Sequence, residues 1–431
     1  MSYSPRLLSL LQSVGAAEGD RLTVSSDGRE LSGVLIPHNE FSHPDVLVLK
    51  MKSGYNVGVL VTPSTNVAVA VKGEVRERAP RPLSNGKGLP QVAVLSTGGT
   101  IASYVDYRTG AVHPALSAGD LLATVPEIAD ICDVRAEAVY SIFSENMTVE
   151  NWQQLAGVAA DRLNSGVEGI IVPHGTDTMS YTAAALSFML GDIPRPVVAV
   201  GAQRSSDRPS SDAYTNLLSA ARFITASDAA EVLVLMHETS SDISASIHRA
   251  TKVRKMHTSR RDAFQSINAP PVARMDFGGG IDYLAPYRRK SDVKVVPRLE
   301  MEKDVSLVQF YPGMSPSVFE SILSKSRGMV IAGSGLGHVS SELIEPLRRA
   351  VAGGTVVVMT SQCLHGSVNL NVYATGRDLL SAGVVPGGDM LPETAYVKLM
   401  WVLGQTNDAE GARKMMAADL RGEITDRRAM Q

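Results

Sequence analysis

Cysteine is scarce in this chain: Cys132 and Cys363 are the only two in 431 residues. Thiols so far apart in sequence, and so few, exclude a disulfide framework and a four-cysteine zinc site. Both stand among apolar or small neighbours and are expected to be buried, inert thiols. Long apolar runs are missing as well. No stretch reaches the ~18–20 residues needed to span a membrane. The opening residues also lack a long apolar segment followed by a cleavage site. A soluble protein in the reducing cytoplasm, with no membrane partner, is the expectation. Nor does one sign of charge dominate: 41 basic against 44 acidic side chains leave a formal net charge of −3. That balance argues against a surface devoted to nucleic acid or anionic lipid. Aromatics are few at 5%, whereas 37 glycines and 22 prolines signal many tight turns. What is present in quantity is apolar material, 44% of residues, which rules out global disorder. At roughly 150 residues per domain the length suggests two or three domains.

Three regions differ in rhythm. Residues 1–76 open with a short amphipathic segment carrying Leu7, Leu8, Leu10 and Leu11, then give brief alternating runs (RLTV, LSGVLI, DVLVLKM, VGVLV, VAVAV) broken by turn residues. That spacing predicts a small all-β domain, most simply a barrel. Its seven basic and seven acidic side chains cancel, so docking to protein suits it better than gripping RNA by charge. Residues 77–90 are rich in proline, glycine and charge and read as a linker. From residue 91 the pattern becomes apolar strand, polar loop, helix. QVAVLS, GIIVP, PVVAV, EVLVLM, GMVIAG and TVVVM are near-continuous apolar runs of the kind parallel strands need when both faces are buried. MSYTAAALSFML and AYTNLLSAARFI read as helices between them. The succession predicts an α/β fold: a larger parallel-sheet domain over 91–285, a bridging segment over 286–304, and a smaller α/β domain over 305–431 that ends in a solvated helix.

In open α/β sheets, ligands bind beyond the carboxyl ends of the strands, so the residues just after each apolar run matter most. QVAVLS is followed by TGGTI (97–101), where Gly98 and Gly99 permit a tight turn and close backbone approach. GIIVP is followed by HGTDT (174–178). Either loop alone is readable as a helix cap. Two on one sheet would bring hydroxyls, a carboxylate and backbone donors to a common edge. A threonine hydroxyl needs a base or a cation to become nucleophilic. The basic run RATKVRKMHTSRRDAFQS (249–266) could supply one if a lysine turns inward against Asp177; otherwise it is a solvated surface. GSGLGHV (333–339) imitates a dinucleotide loop but has His338 where the last glycine belongs, and reads better as a turn. His38 and His43 lie close together but have no cysteine pair to complete a zinc finger, and His174 reads as structural. No metal site is expected.

TGGTI followed by HGTDT resembles the paired signatures of the bacterial-type asparaginase/glutaminase family, and the likeness extends over residues 91 to about 405. SENM, GAQR, KMHTSRRDAF and the additional N-terminal domain resemble the branch that serves archaeal-type glutamyl-tRNA(Gln) amidotransferases. The resemblance implies an asparaginase-like fold and a nucleophilic Thr100 that forms an acyl-enzyme, with Thr176, Asp177 and Lys255 activating the nucleophile or the deacylating water. It implies that Ser144 and Glu145 hold the substrate's α-carboxylate and α-amino group, and that the backbones of Gly99 and Ala202 lie near the reacting amide. A loop tyrosine, Tyr107 or its neighbour Tyr104, would meet the nucleophile. Glutamine or asparagine would be the small-molecule substrate, and no cofactor would be held in this chain. The branch further implies a partner, the amidotransferase's E-type subunit, which carries the ATP and magnesium site and most contact with tRNA. A homodimer within a heterotetramer is the assembly it implies. A free-standing L-asparaginase with an accessory N-terminal module is the alternative.

Overall fold

The structure, a computed structural model, describes residues 3–26, 28–36, 43–51, 56–73, 88–98, 103–105, 112–114, 125–204 and 211–425. Helix α1 (Pro5–Ser13) starts where Ser4 Oγ accepts the Leu7 N–H at 3.3 Å and Pro5 occupies the first helical turn. Its Leu7 and Leu11, one turn apart, are buried, while Leu8 stays at the surface. They close one side of an antiparallel sheet of β1 (Arg21–Ser26), β2 (Arg29–Leu35), β3 (Val46–Met51), β4 (Asn56–Leu60) and β5 (Asn66–Val71). The strand order is β4-β3-β2-β1-β5. Alternation places Leu22, Val24, Leu47 and Leu49 inside. The five expected strands are present, and among the described residues their ladder is open between β4 and β5 rather than closed into a barrel. Most of the 77–90 linker falls outside the described residues.

The second domain is built on eight strands: β6 (Gln91–Ser96), β9 (Asp133–Ala138), β10 (Gly169–Pro173), β11 (Val197–Val200), β12 (Val232–His237), β13 (Ser244–Arg249), β16 (Ala273–Asp276) and β17 (Ile281–Tyr283). Two short pairs lie outside this sheet, β7 (Ser103–Val105) with β8 (Val112–Pro114), and β14 (Val253–Lys255) with β15 (Phe264–Ser266). The order is β17-β16-β13-β12-β11-β10-β6-β9. Strands β9, β6, β10, β11 and β12 are parallel, as their apolar runs predict. The remaining three extend the sheet antiparallel, so it is mixed where the sequence suggested a purely parallel one. Helices α2 (Val149–Asn164) and α3 (Met179–Leu190) belong to the core on one face, and α4 (Ala213–Ala226) to the core on the other.

The chain runs from β6 to β9 on one side of the sheet and then crosses to β10 on the other side of β6. The gap between the carboxyl ends of β6 and β10 is therefore the topological switch point, where such folds bind their ligands.

The 286–304 segment runs across the main domain in extended form. Val295 exchanges two hydrogen bonds with the Asn164 side chain, and the Arg298 N–H donates to the Met189 carbonyl at 2.8 Å. Beyond it lies a parallel sheet of β18 (Val305–Gln309), β19 (Gly328–Gly333), β20 (Val356–Ser361) and β21 (Val385–Pro386). It carries α5 (Pro316–Leu323), α6 (Ile344–Ala352), α7 (Ala374–Ser381), α8 (Pro392–Gln405) and α9 (Ala409–Ala417).

Helix α3 is apolar on every side because α8 covers the face that the large sheet leaves open. Phe188 stacks on Trp401 there with ring centroids 6.0 Å apart. The second and third domains thus share one continuous core. GSGLGHV is a turn, with Gly335 and Gly337 at positive φ.

Two further expectations are corrected. Cys363 is exposed in the loop after β20, while Cys132 is buried. The terminal segment is not a solvated helix throughout. After Ala417 it turns inward, where Glu423 pairs with Lys398 at 2.6 Å and neither side chain is exposed. Glu423 also accepts the N–H groups of Leu420 and Arg421. A buried pair with its remaining valences filled this way holds the tail in place.

Candidate active site

The site is assembled at the switch point by close backbone approaches that only glycine permits. Thr97, first residue after β6, donates both its N–H (3.3 Å) and its hydroxyl (2.9 Å) to the Pro173 carbonyl at the end of β10. Gly98 has φ +101°, and a side chain there would put Cβ 2.5 Å from the Ile142 carbonyl oxygen. On β10's exit loop, a Cβ on Gly175 would lie 2.7 Å from Ser144 Cβ. After β11, a Cβ on Gly201 would lie 2.6 Å from Thr176 Cγ2. Four loops, following the neighbouring strands β11, β10, β6 and β9, therefore touch.

Lys255, the last residue of β14, reaches this junction. Its Nζ donates to Thr176 Oγ1 at 2.9 Å and to Asp177 Oδ1 at 2.7 Å. The lysine side chain is 13% exposed and the aspartate 71%, so the ammonium is held inside while the carboxylate faces solvent. Lys255 is brought there by the β14–β15 hairpin, closed by the Ile267 N–H on the Lys252 carbonyl (2.8 Å) and the Met256 N–H on the Ala263 carbonyl (2.6 Å). Behind the hairpin Lys252 forms a second ion pair, 2.8 Å from Asp389 of the C-terminal domain, with both side chains 1% exposed. Burial lowers the Lys252 pKa and the Asp389 contact opposes that. This link across the two domains had no signal in the sequence beyond one lysine among six basic residues.

His174 is enclosed. Its Nδ1 lies 2.7 Å from the Gly175 carbonyl, which it serves as donor, and burial pushes its pKa down to about 4. A neutral ring stands directly behind the Thr176–Asp177 turn. Ser144 is buried, and its carbonyl accepts the Thr178 hydroxyl at 2.6 Å. Glu145 is exposed beside it. Ala202 is buried in the loop after β11. Thr176, Asp177, Lys255, Ser144 and the Ala202 loop are thus drawn to one edge. Gly99, Thr100 and Tyr107 lie outside the described residues, as does His38, and the Tyr104 side chain is likewise not described.

A hydroxyl and a carboxylate gathered round a nearly buried amine, beside tight glycine turns, is an arrangement able to move protons at an electrophilic carbon. No group of three or more His, Cys, Asp or Glu side chains able to hold a metal occurs among the described residues, and no helix among them is long and apolar enough to cross a membrane.

Similarity to known proteins agrees with this geometry. Residues 91–287 match the family described as Asparaginase, N-terminal, and residues 304–416 match the Glutaminase/Asparaginase C-terminal domain. Residues 16–70 match the GatD N-terminal domain. Over 428 residues the chain is 50% identical to the glutamyl-tRNA(Gln) amidotransferase D-type subunit of Pyrococcus furiosus, covering 97% of this chain and 98% of the relative. It is 48% identical over 423 residues to the corresponding D-type subunit of Thermococcus kodakarensis, covering 95% of each. The chain belongs to the family of amidotransferase D-type subunits.

Among solved structures, the thermostable L-asparaginase from Thermococcus kodakarensis superposes with a TM-score of 0.70 at 34% identity, covering 78% of this chain and all of that one. A probable cytoplasmic L-asparaginase from Campylobacter jejuni gives 0.64 at 28%, covering 76% and 99%. The asparaginase-like pair of domains is thus common to hydrolases outside the D-type family, while the first sheet matches a domain described for that family.

Proposed function

We propose that the chain is the glutaminase subunit of a glutamyl-tRNA(Gln) amidotransferase. The observation that carries this reading is the Lys255–Thr176–Asp177 cluster at the switch point, in a chain that over almost its full length resembles the D-type subunits.

The chemistry follows from the groups present. Thr100 Oγ attacks the side-chain carbonyl carbon of glutamine as its proton passes to a base; the C–N bond breaks, ammonia leaves with that proton, and a γ-glutamyl ester remains on Thr100. Water then attacks the ester, activated by the Thr176–Lys255 pair, and glutamate is released. An amine donating to both Thr176 and Asp177 is held in one geometry, so a proton can pass along the hydroxyl without side-chain rearrangement. Backbone N–H groups of Gly99 and of the Ala202 loop would meet the developing oxyanion. Ser144 and Glu145 would hold the α-carboxylate and the α-ammonium, the second by a direct charge-assisted bond, with Tyr107 or Tyr104 closing over the nucleophile.

The ammonia passes to a partner, the E-type subunit, which binds tRNA and uses ATP and magnesium to activate the glutamyl ester of tRNA(Gln). Two copies of each polypeptide would form the complex, in the cytoplasm. A free-standing asparaginase is the second reading, favoured by the complete coverage of the Thermococcus asparaginase structure. Glutamine and asparagine turnover, measured with and without the E-type partner and Glu-tRNA(Gln), separates the two. Glutamine hydrolysis stimulated by the partner and its tRNA is expected. Full-rate asparagine hydrolysis by the isolated chain, unchanged by either addition, would overturn the amidotransferase reading.

A further inference from the structure

Behind the site runs a line of polar side chains that amide hydrolysis has not yet used. It starts at Asp212, the residue before α4. An aspartate there ordinarily caps its own helix by accepting N–H groups of the first turn. Asp212 makes no such bond. Its carboxylate turns back to the loop after β11, taking the Gln203 N–H on both oxygens at 3.0 Å and the Arg204 N–H at 2.9 Å. The side chain is completely buried, so its desolvation is offset by what it fixes: the loop that carries Ala202.

One turn along α4, Asn216 Nδ2 donates to the Gly201 carbonyl at 2.9 Å and to Asp212 at 3.3 Å. That leaves Asn216 Oδ1 to accept from His237 Nδ1 at 2.7 Å. His237 ends β12, is wholly buried, and has Nε2 3.1 Å from Asp242 Oδ1. The same Asp242 oxygen accepts Arg261 Nη1 at 2.5 Å, while Nη2 of Arg261 donates to the Ser240 carbonyl. Arg261 stands in the turn of the β14–β15 hairpin, six residues after Lys255. One end of the line therefore anchors the wall of the site beside Thr176, and the other anchors the hairpin that delivers the lysine.

We propose that Asp212, Asn216, His237, Asp242 and Arg261 form a positioning relay that holds the 201–204 loop and the Lys255 hairpin in one register, so that the residues at its two ends act on amide hydrolysis through each other. The inference rests on the reading that the reaction at this edge is glutamine hydrolysis. None of the five touches the reacting atoms. Their effect is on where the Ala202 backbone and Lys255 Nζ stand, and displacements of about 1 Å cost up to ~100-fold in rate.

The test is a double-mutant cycle in the full-length protein with its partner, read by steady-state kinetics and by hydrogen exchange. Asp212→Asn leaves one acceptor oxygen for two backbone donors; Arg261→Gln cuts the far end. Each is expected to lower kcat for glutamine about tenfold, with KM changing much less, and the double variant to lose little more than either alone. Arg261→Lys, which keeps a cation on Asp242 but cannot span to Ser240 as well, is expected to fall between wild type and Arg261→Gln. The amides of Gln203 and Arg204, which residue 261 does not touch, should exchange faster in Arg261→Gln. Unchanged exchange of those two amides in both Arg261 variants, or losses that multiply in the double variant, would overturn the relay. Absence of glutamine turnover in the wild type would instead overturn the functional reading, and the exchange measurement would still decide the relay.

Discussion

Mild acid is expected to loosen the large domain through two histidines that cannot take a proton where they stand. His174 and His248 are buried, and Nε2 of each lacks a hydrogen-bond partner among the described residues. Burial pushes His174 down to about 4 and His248 to about 3, from an ordinary value of 6.5. In the unfolded chain both become charged as pH falls through 6.5, while in the folded chain they stay neutral. The unfolded state then binds more protons, so their contribution to stability is complete above pH 6.5 and is lost as pH falls toward 4. Each site contributes a slope of about 1.4 kcal/mol per pH unit across that window. By pH 4 the pair has cost about 6 kcal/mol, as large as the whole stability of many domains. The assay is urea unfolding between pH 7 and 4.5, followed by the fluorescence of Trp152 and Trp401. His248→Asn cannot titrate and keeps a donor for Ser266, the Nδ1 partner at 2.8 Å. Its stability should fall with pH less steeply than the wild type's by about 1.4 kcal/mol per unit, everything else being common to both. Parallel curves for variant and wild type between pH 6.5 and 4.5 would refute the reasoning.

Two further outcomes are expected. Lys255→Ala should abolish amide hydrolysis while leaving the circular dichroism spectrum and thermal midpoint close to wild type, since the side chain lies at a sheet edge; retained turnover would assign the proton transfer elsewhere. Lys252→Met, which strands Asp389 in the core with only the Thr425 N–H on its free oxygen, should cost about 3–5 kcal/mol. Lys252→Met with Asp389→Leu should recover most of that in denaturant unfolding.

Much of the architecture was legible because the parallel strands are buried on both faces. GIIVP, PVVAV and EVLVLM had to be apolar throughout, and all lie in the sheet. MSYTAAALSFML coincides with α3 to the residue. Strands β13, β16 and β17 escaped because they are short or polar: SASIHR is almost wholly buried, yet its two serines and histidine interrupt any hydrophobic period to read. The tail misled for a similar reason. Five basic and five acidic residues in the last 25 look solvated, but Glu423 is paired inside with a lysine contributed by another helix.

The sequence by itself determined which residues stand at strand ends. Gly98, Gly175 and Gly201 follow apolar runs, and local chemistry marks such turns as places where backbones close in. It also supplied Thr176, Asp177 and Lys255 as chemically matched types. That Lys255 rather than Lys252 or Arg254 reaches Thr176 was decided only by the tertiary structure. The β14–β15 hairpin sends Lys255 to the sheet edge and Lys252 into the core against Asp389, 137 residues away in sequence. Nor could spacing reveal that Asp212 forgoes its own helix for the Ala202 loop. Charge pairing over such separations depends on how two domains and a returning strand pack, and a one-dimensional pattern does not carry that distance.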